Sequence, residues 1–275
     1  MHSLGVCSWS LRPDSPRALV DAVKECGLDA VQLHLDPLRT GDWSFDETVA
    51  LFAGEGIRVL SGMMGMEGED YSTLESIRVT GGVRPDGTWE ANLQAARANA
   101  RIARELSLSL VTFHAGFLPE ESSDPERAVL LDRLRAIVDV FAEEGVDVAF
   151  ETGQETAQTL LEVMADLDRP RAGVNFDPAN MLLYDQGDPV EALSLLAGRV
   201  HQIHVKDANR TTTPGSWGEE VPVGAGQVDW PSFFSVVESN GLSVDLVIER
   251  EAGEQRVADV RIASELVASF VEVER

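Results

Sequence analysis

Leu4-Gly5-Val6-Cys7-Ser8-Trp9, followed by Ser15-Pro16 and then by Leu19, Val23, Cys26 and Gly27, is the stretch on which the reading of the fold turns. The first six residues form an apolar, β-favouring run with the character of a buried strand. Ser15 is placed to cap a helix whose first turn accepts Pro16, since a first-turn proline sacrifices no hydrogen bond. Leu19, Val23 and Cys26 then fall on one helical face, and Gly27 supplies the left-handed residue that ends it. The unit is strand, loop, helix, stop.

Working outward, the same unit repeats seven more times. Strands are expected at Ala30–Leu33, Arg58–Ser61, Ser109–His114, Val146–Phe150, Ala172–Phe176, Val200–Val205 and Val244–Ile248. Helical spacing lies between and after them, at Leu93–Leu106, Pro125–Glu144, Ala157–Leu167, Pro189–Leu196, Phe233–Ser239 and Val257–Phe270. The strands are continuous apolar runs, as expected when helices cover both faces of a parallel sheet. Eight strand–helix units in 275 residues match the size and order of an α/β chain closed as a (β/α)8 barrel. A doubly wound open sheet is the competing arrangement, because alternation does not reveal closure. No Gly/Ser/Pro-rich linker interrupts the pattern, so one domain is expected over residues 1–275. The rhythm breaks once, where Gly62-Met63-Met64-Gly65-Met66 runs into a long loop expected over Glu67–Trp89.

Composition narrows the function. With 44% hydrophobic and 25% charged residues the chain is globular. Its 22 basic against 47 acidic residues give a formal charge of −25, which repels phosphate backbones and anionic lipid, so neither nucleic acid nor membrane is an expected partner. Cys7 and Cys26 form no CxxC pair and fall short of a disulfide framework. Residues Met1 to Cys7 lack a basic leader ahead of an apolar run, and no stretch reaches the roughly 18 apolar residues of a membrane span. A soluble, unprocessed, cytoplasmic protein is expected.

In such a barrel, chemistry collects at the carboxyl ends of the strands. The polar residues closing those strands are His34, His114, Glu151, Asp177, His204 and Glu249. A single acidic residue there is ordinarily a helix cap or a solvated loop charge. Glu151, Asp177, His204 and Glu249, however, close four consecutive strands. Three carboxylates crowded together repel, and a cation relieves the repulsion. Mixed oxygen and nitrogen donors suit one divalent ion, Mn2+, Mg2+, Co2+ or Zn2+, without singling one out. Lys206 is expected to pair with the adjacent Asp207, with a second positive charge at the site as its alternative role. His34 and His114 are open between contacting substrate, supporting a ligand and a structural role.

These residues carry a resemblance. Glu151-Thr152, Asn175-Phe176-Asp177-Pro178-Ala179-Asn180, His204-Val205-Lys206-Asp207-Ala208-Asn209-Arg210, Val221 through Trp230, and Val247-Ile248-Glu249 together resemble the xylose isomerase-like TIM-barrel superfamily, in its sugar phosphate isomerase/epimerase branch. The likeness runs in order from Gly5 to the last strand. It implies a single metal held, as in the ketose 3-epimerases, by Glu151, Asp177, His204 and Glu249. In those enzymes the two glutamates also exchange the proton, from opposite faces of the sugar. The arginine that contacts substrate there corresponds to Arg210. Where the epimerases often carry histidine three residues after the metal aspartate, this chain has Asn180, which can hydrogen-bond a sugar hydroxyl but does not titrate near neutrality.

The resemblance therefore implies a metal-dependent isomerase or epimerase acting on a keto sugar or related polyol through an enediolate. Glu151 and Glu249 would be the catalytic pair, and Arg210, Asn180, His114, His34 and Lys206 the substrate contacts. A small carbohydrate is the expected partner, and a homo-oligomer stays open. Three rivals stand beside this reading. A metal-dependent lyase or hydrolase of 3-keto-glycosides begins with the same proton abstraction. The apurinic endonucleases of the superfamily use three zinc ions, for which five histidines and so acidic a surface are poorly suited. A barrel that binds metal and sugar without turnover is the non-enzymatic case.

Overall fold

The computed structural model describes residues 2–213 and 215–274. Eight parallel strands form the barrel: β1 (His2–Cys7), β2 (Ala30–His34), β3 (Arg58–Met63), β4 (Leu110–Phe113), β5 (Asp147–Glu151), β6 (Ala172–Phe176), β7 (Val200–Val205) and, after a two-stranded insertion, β10 (Asp245–Ile248). Each pairs with the next, and β10 returns to β1 through Leu4↔Leu246, Gly5↔Val247 and Val6↔Ile248. That last pairing closes the ring and removes the open-sheet alternative. The insertion is an antiparallel hairpin of β8 (Asp207–Asn209) and β9 (Glu219–Val221), and the short β11 (Val273–Glu274) lies beside the start of β1.

Local chemistry sets the helices as the sequence suggests. The Ser15 hydroxyl accepts from the Ala18 amide at 3.3 Å, the helix runs Pro16–Glu25, and Gly27 follows at φ +77°. The pairs Asp124-Pro125 and Asp188-Pro189 start helices Pro125–Glu143 and Pro189–Leu196 in the same manner. The expected strands agree with the observed ones to within two residues at each end, β1 being shifted as a whole to His2–Cys7. There the chain turns into a 3-10 helix over Ser8–Leu11, so Trp9 lies beyond the strand. The expected 67–89 loop is corrected more substantially. It contains a helix, Leu74–Thr80, started by a reciprocal cap between Thr73 and Ser76, and the next helix begins at Asp86 rather than Leu93. No helix of the described residues is long and apolar enough to cross a membrane.

Aliphatic and aromatic residues such as Leu33, Phe113, Phe150, Ile137 and Phe233 fill the space between sheet and helices. Inside the barrel the packing changes character. Gln32, Ser61, Thr112, Asn175, Gln202 and His204 are all fully buried and bond one another across the barrel. Gln32 Nε2 donates to Thr112 Oγ1 at 2.8 Å, Gln202 Nε2 to Asn175 Oδ1 at 3.2 Å, and Ser61 to Gln202. Burying such groups unpaired would cost a few kcal/mol each. Linked, they form a rigid polar floor directly under the carboxyl ends of the strands.

Candidate metal centre

Glu151 ends β5, Asp177 follows β6, His204 lies one residue from the end of β7, and Glu249 follows β10. Strand pairing brings all four to the same end of the barrel. One donor atom from each lies within 4.8 Å of every other, and all four residues are buried. His204 is oriented from below: its Nε2 is 2.7 Å from Gln32 Oε1. An amide oxygen can only accept, so this contact calls for a proton on Nε2 and leaves Nδ1 as the ring nitrogen facing the carboxylates, the one free to serve a cation. Nδ1 is 3.5 Å from Glu151 Oε1, 3.5 Å from Glu249 Oε2 and 3.8 Å from Asp177 Oδ2.

Asp177 does cap a helix, since its Oδ1 accepts the Asn180 amide at 2.9 Å. Its other oxygen, Oδ2, is buried with no hydrogen-bond partner among the described residues. A capping role uses one oxygen and leaves the second at a desolvation cost that only a partner relieves. Together with the imidazole lone pair and two more carboxylates, this orphaned atom fits a divalent cation. Cys7 also comes near His204 and Glu249, but burial pushes its thiol far up and keeps it protonated, a poor ligand.

The electrostatics match crowded acids. Burial raises Asp177 to about 6, against the pull of Lys206 and His204. Burial acts the same way on Glu249 but is outweighed by Lys206 and His204, which hold it well below the usual carboxylate range. Glu151 is lowered too, with His114 and His204 overcoming desolvation. Burial alone would lower His204 and His114; the surrounding carboxylates raise both.

Each remaining expected residue has a definite place. Asn180 donates to Glu151 Oε1 at 2.8 Å. His114 Nε2 is 3.7 Å from Glu151 Oε2. His34 is tied to Asp36 at 3.2 Å, and Asp36 also takes Arg39 and Asn99. Lys206 is not paired with Asp207. In an extended chain neighbouring side chains point to opposite faces, and Lys206 turns inward, donating to Glu249 Oε2 at 2.8 Å and to Glu251 Oε2 at 2.5 Å. Asp207 turns outward, where its Oδ1 accepts the amides of Ala208 and Val228 and its Oδ2 those of Gly224 and Gly226 and the Trp230 indole. Arg210 lies at the rim, bonded to Asp185 and to the Gly187 carbonyl.

A cavity of about 530 Å3 opens over the cluster, and His34, His114, Asn180 and Glu249 line it. Several of its residues escaped the strand-end reading. Trp9 donates its indole N–H to Glu249 Oε1 at 2.7 Å. Glu69, Tyr71, Trp217 and Glu251 stand in loops, where no strand periodicity marks position. Gly153, at φ +133°, lets the loop after β5 press on Asn180, where a Cβ would stand 2.3 Å from that residue's own Cβ. That contact holds Asn180 against Glu151.

Comparison with known proteins agrees with this architecture. Residues 20–269 match the profile of the xylose isomerase-like TIM barrel. The chain is 26% identical over 259 residues to the L-ribulose-5-phosphate 3-epimerase UlaE of Salmonella paratyphi C, covering 89% of this chain and 86% of that one. Among solved structures, a xylose isomerase domain protein from Planctomyces limnophilus superposes with a TM-score of 0.86 at 32% identity, over 91% of both chains. The D-allulose 3-epimerase of Methylomonas sp. shares the fold, with a TM-score of 0.75 at 15% identity over 98% of this chain and 97% of that one. With its closed barrel and a profile match spanning nearly the whole chain, the protein belongs to the xylose isomerase-like TIM barrel family.

Proposed function

We propose that this chain is a divalent-cation-dependent sugar isomerase or epimerase, with Glu151, Asp177, His204 and Glu249 holding the ion and the two glutamates moving the proton. The observation that carries this reading is the convergence of four buried donors within 4.8 Å around an Asp177 oxygen that has no hydrogen-bond partner among the described residues. The likeness over most of its length to a chain named as a sugar 3-epimerase supports the same chemistry.

A C–H beside a carbonyl is a weak acid, and each pKa unit separating it from its base adds about 1.4 kcal/mol to the transfer. The bound cation supplies Lewis acidity, stabilising negative charge as it builds on the substrate oxygens. The protein supplies the rest. Glu249 is locked by Trp9 on one oxygen and Lys206 on the other, while Glu151 is held by Asn180. These contacts fix both carboxylates, Glu249 lining the cavity and Glu151 behind Asn180, ready to take and return a proton. His114, whose pKa the carboxylates around it raise against the effect of burial, lines the cavity beside Glu151, within reach of a substrate oxygen. Arg210 remains a substrate contact in this proposal only if a ligand draws it away from Asp185.

Calorimetric titration with Mn2+ tests the ligand set independently of turnover: Asp177→Ala should abolish binding that the unaltered protein shows. Turnover of keto sugars and keto-glycosides in deuterated water tests the reaction. Exchange should appear in the unaltered protein and vanish in Glu249→Gln. Full exchange in that variant, or Mn2+ affinity unchanged by Asp177→Ala, would overturn the proposal.

A further inference from the structure

Resting on the reading of this site as sugar-transforming, we propose that its substrate is an uncharged two-ring sugar, a glycoside whose second ring lies on Trp217, and that sugar phosphates are turned away. The first ground is charge. Glu69, Glu220, Glu249 and Glu251 line the cavity, and none of its described lining residues is Lys or Arg. Of the basic groups there, His114 faces Glu151 and His34 is tied to Asp36, and the three Lys and Arg side chains nearby are already engaged. Lys206 lies beneath, 2% exposed, clamped between Glu249 and Glu251. Arg250 is bound to Glu220 and Asp259, and Arg210 to Asp185. Phosphate recognition calls for forked guanidinium donors or free amides at a helix start. Helix Pro178–Leu183, which opens at the site, starts with a proline, which has no amide to offer, and its Asn180 amide is already taken by Asp177.

The second ground is an aromatic wall set by backbone. Trp217 lies in the β8–β9 connection, its ring 4.8 Å from that of Tyr184 at an interplanar angle of 66°. The next residue, Gly218, makes this possible. Its amide donates to the Leu183 carbonyl at 3.1 Å, and a Cβ there would stand 2.6 Å from the Asn209 carbonyl oxygen and 3.0 Å from Leu183 Cα. The connection is thus pressed onto helix Pro178–Leu183, and the indole faces the cavity beside Leu183 and Tyr184. Sugar rings offer C–H faces to such a surface while their hydroxyls reach carboxylates such as Glu69 and Glu251. At about 530 Å3, the cavity has the liquid volume of about 18 waters at roughly 30 Å3 each, ample beyond one hexose.

Three probes that share one ketose test this: D-fructose, D-fructose 6-phosphate, and isomaltulose, in which glucose replaces the phosphate on the same oxygen. Dissociation constants would be measured by calorimetry on the Mn2+-saturated protein. Isomaltulose should bind about tenfold more tightly than fructose, the scale of one ring stacked on an indole. Fructose 6-phosphate should bind more weakly than fructose, with the deficit shrinking as salt rises. Trp217→Ala should erase the isomaltulose advantage while leaving fructose unchanged, and Trp217→Phe should keep most of it. Tighter binding of the phosphate, equal binding of fructose and isomaltulose, equal weakening of all three probes in Trp217→Ala, or no binding of any probe would each overturn the proposal. The ranking is read without turnover, so a missing exchange reaction beside an intact ranking would count against the chemistry and not against the pocket.

Discussion

Glu155 sits four residues past Glu151 in the loop after β5, and it offers the sharpest quantitative test of how that loop is held. The residue is 6% exposed, and burial raises its carboxyl from the ordinary 4.5 to about 8. The folded state therefore binds this proton more tightly than the unfolded chain does. Its contribution to stability is whole below the unfolded value of 4.5 and is lost as pH climbs through about 8. At roughly 1.36 kcal/mol per unit, the full displacement corresponds to about 5 kcal/mol, an upper figure, because water entering a loosened loop would solvate the charge. Glu155→Gln removes the proton from the balance while keeping the shape. Urea unfolding of both proteins across about pH 5 to about pH 9 should show the unaltered protein losing several kcal/mol relative to the variant, steadily from about pH 5 to about pH 8 and little beyond. Two stability curves that run parallel over that range would refute the reasoning, since Glu155 would then carry no buried proton.

Three further outcomes are expected. Asp207→Ala strips the acceptors from four backbone amides and the Trp230 indole by removing a fully buried side chain; chemical denaturation should register a loss of about 3–5 kcal/mol. Gly153→Ala drives a methyl into Asn180 at a positive φ; it should cost about 2–4 kcal/mol and weaken Mn2+ binding through the Asn180–Glu151 contact, whereas a variant as stable as the parent would contradict the close approach. The formal charge of −25, left by 47 acidic against 22 basic residues, should make the melting temperature rise as ionic strength goes from ~0.1 M to ~1 M, because shorter Debye lengths quench repulsion. A falling melting temperature would mean that surface ion pairs such as Arg17–Glu55 outweigh that repulsion.

The barrel was legible because its strands are apolar runs bracketed by capping residues, two signals that reinforce each other. Where they part, reading fails for physical reasons. Helix Leu74–Thr80 has only Ile77 buried and so shows no apolar stripe, while Pro178–Leu183 is buried throughout and shows no polar one. The β8–β9 strands, three residues each, are too short to alternate. The four clustered donors were visible because strand ends converge whatever the loops do. Trp9, Glu251 and Trp217 depend on how loops fold back, which no local pattern encodes. Two signals were available and unused. Gln32, Thr112, Asn175 and Gln202 interrupt apolar strands and mark the polar interior, and the alternation of an extended chain separates Lys206 from Asp207.

Closure of the ring has a consequence for assembly. Glu249 rides just past β10, the strand that wedges between β7 and β1 to complete the barrel. Glu151, Asp177 and His204 can be threaded into place earlier during synthesis, but the fourth donor arrives only when the gap is sealed. Under the proposed metal reading, a growing polypeptide would lack the complete donor set until that point, and a fully liganded centre would report that the whole cylinder has zipped shut.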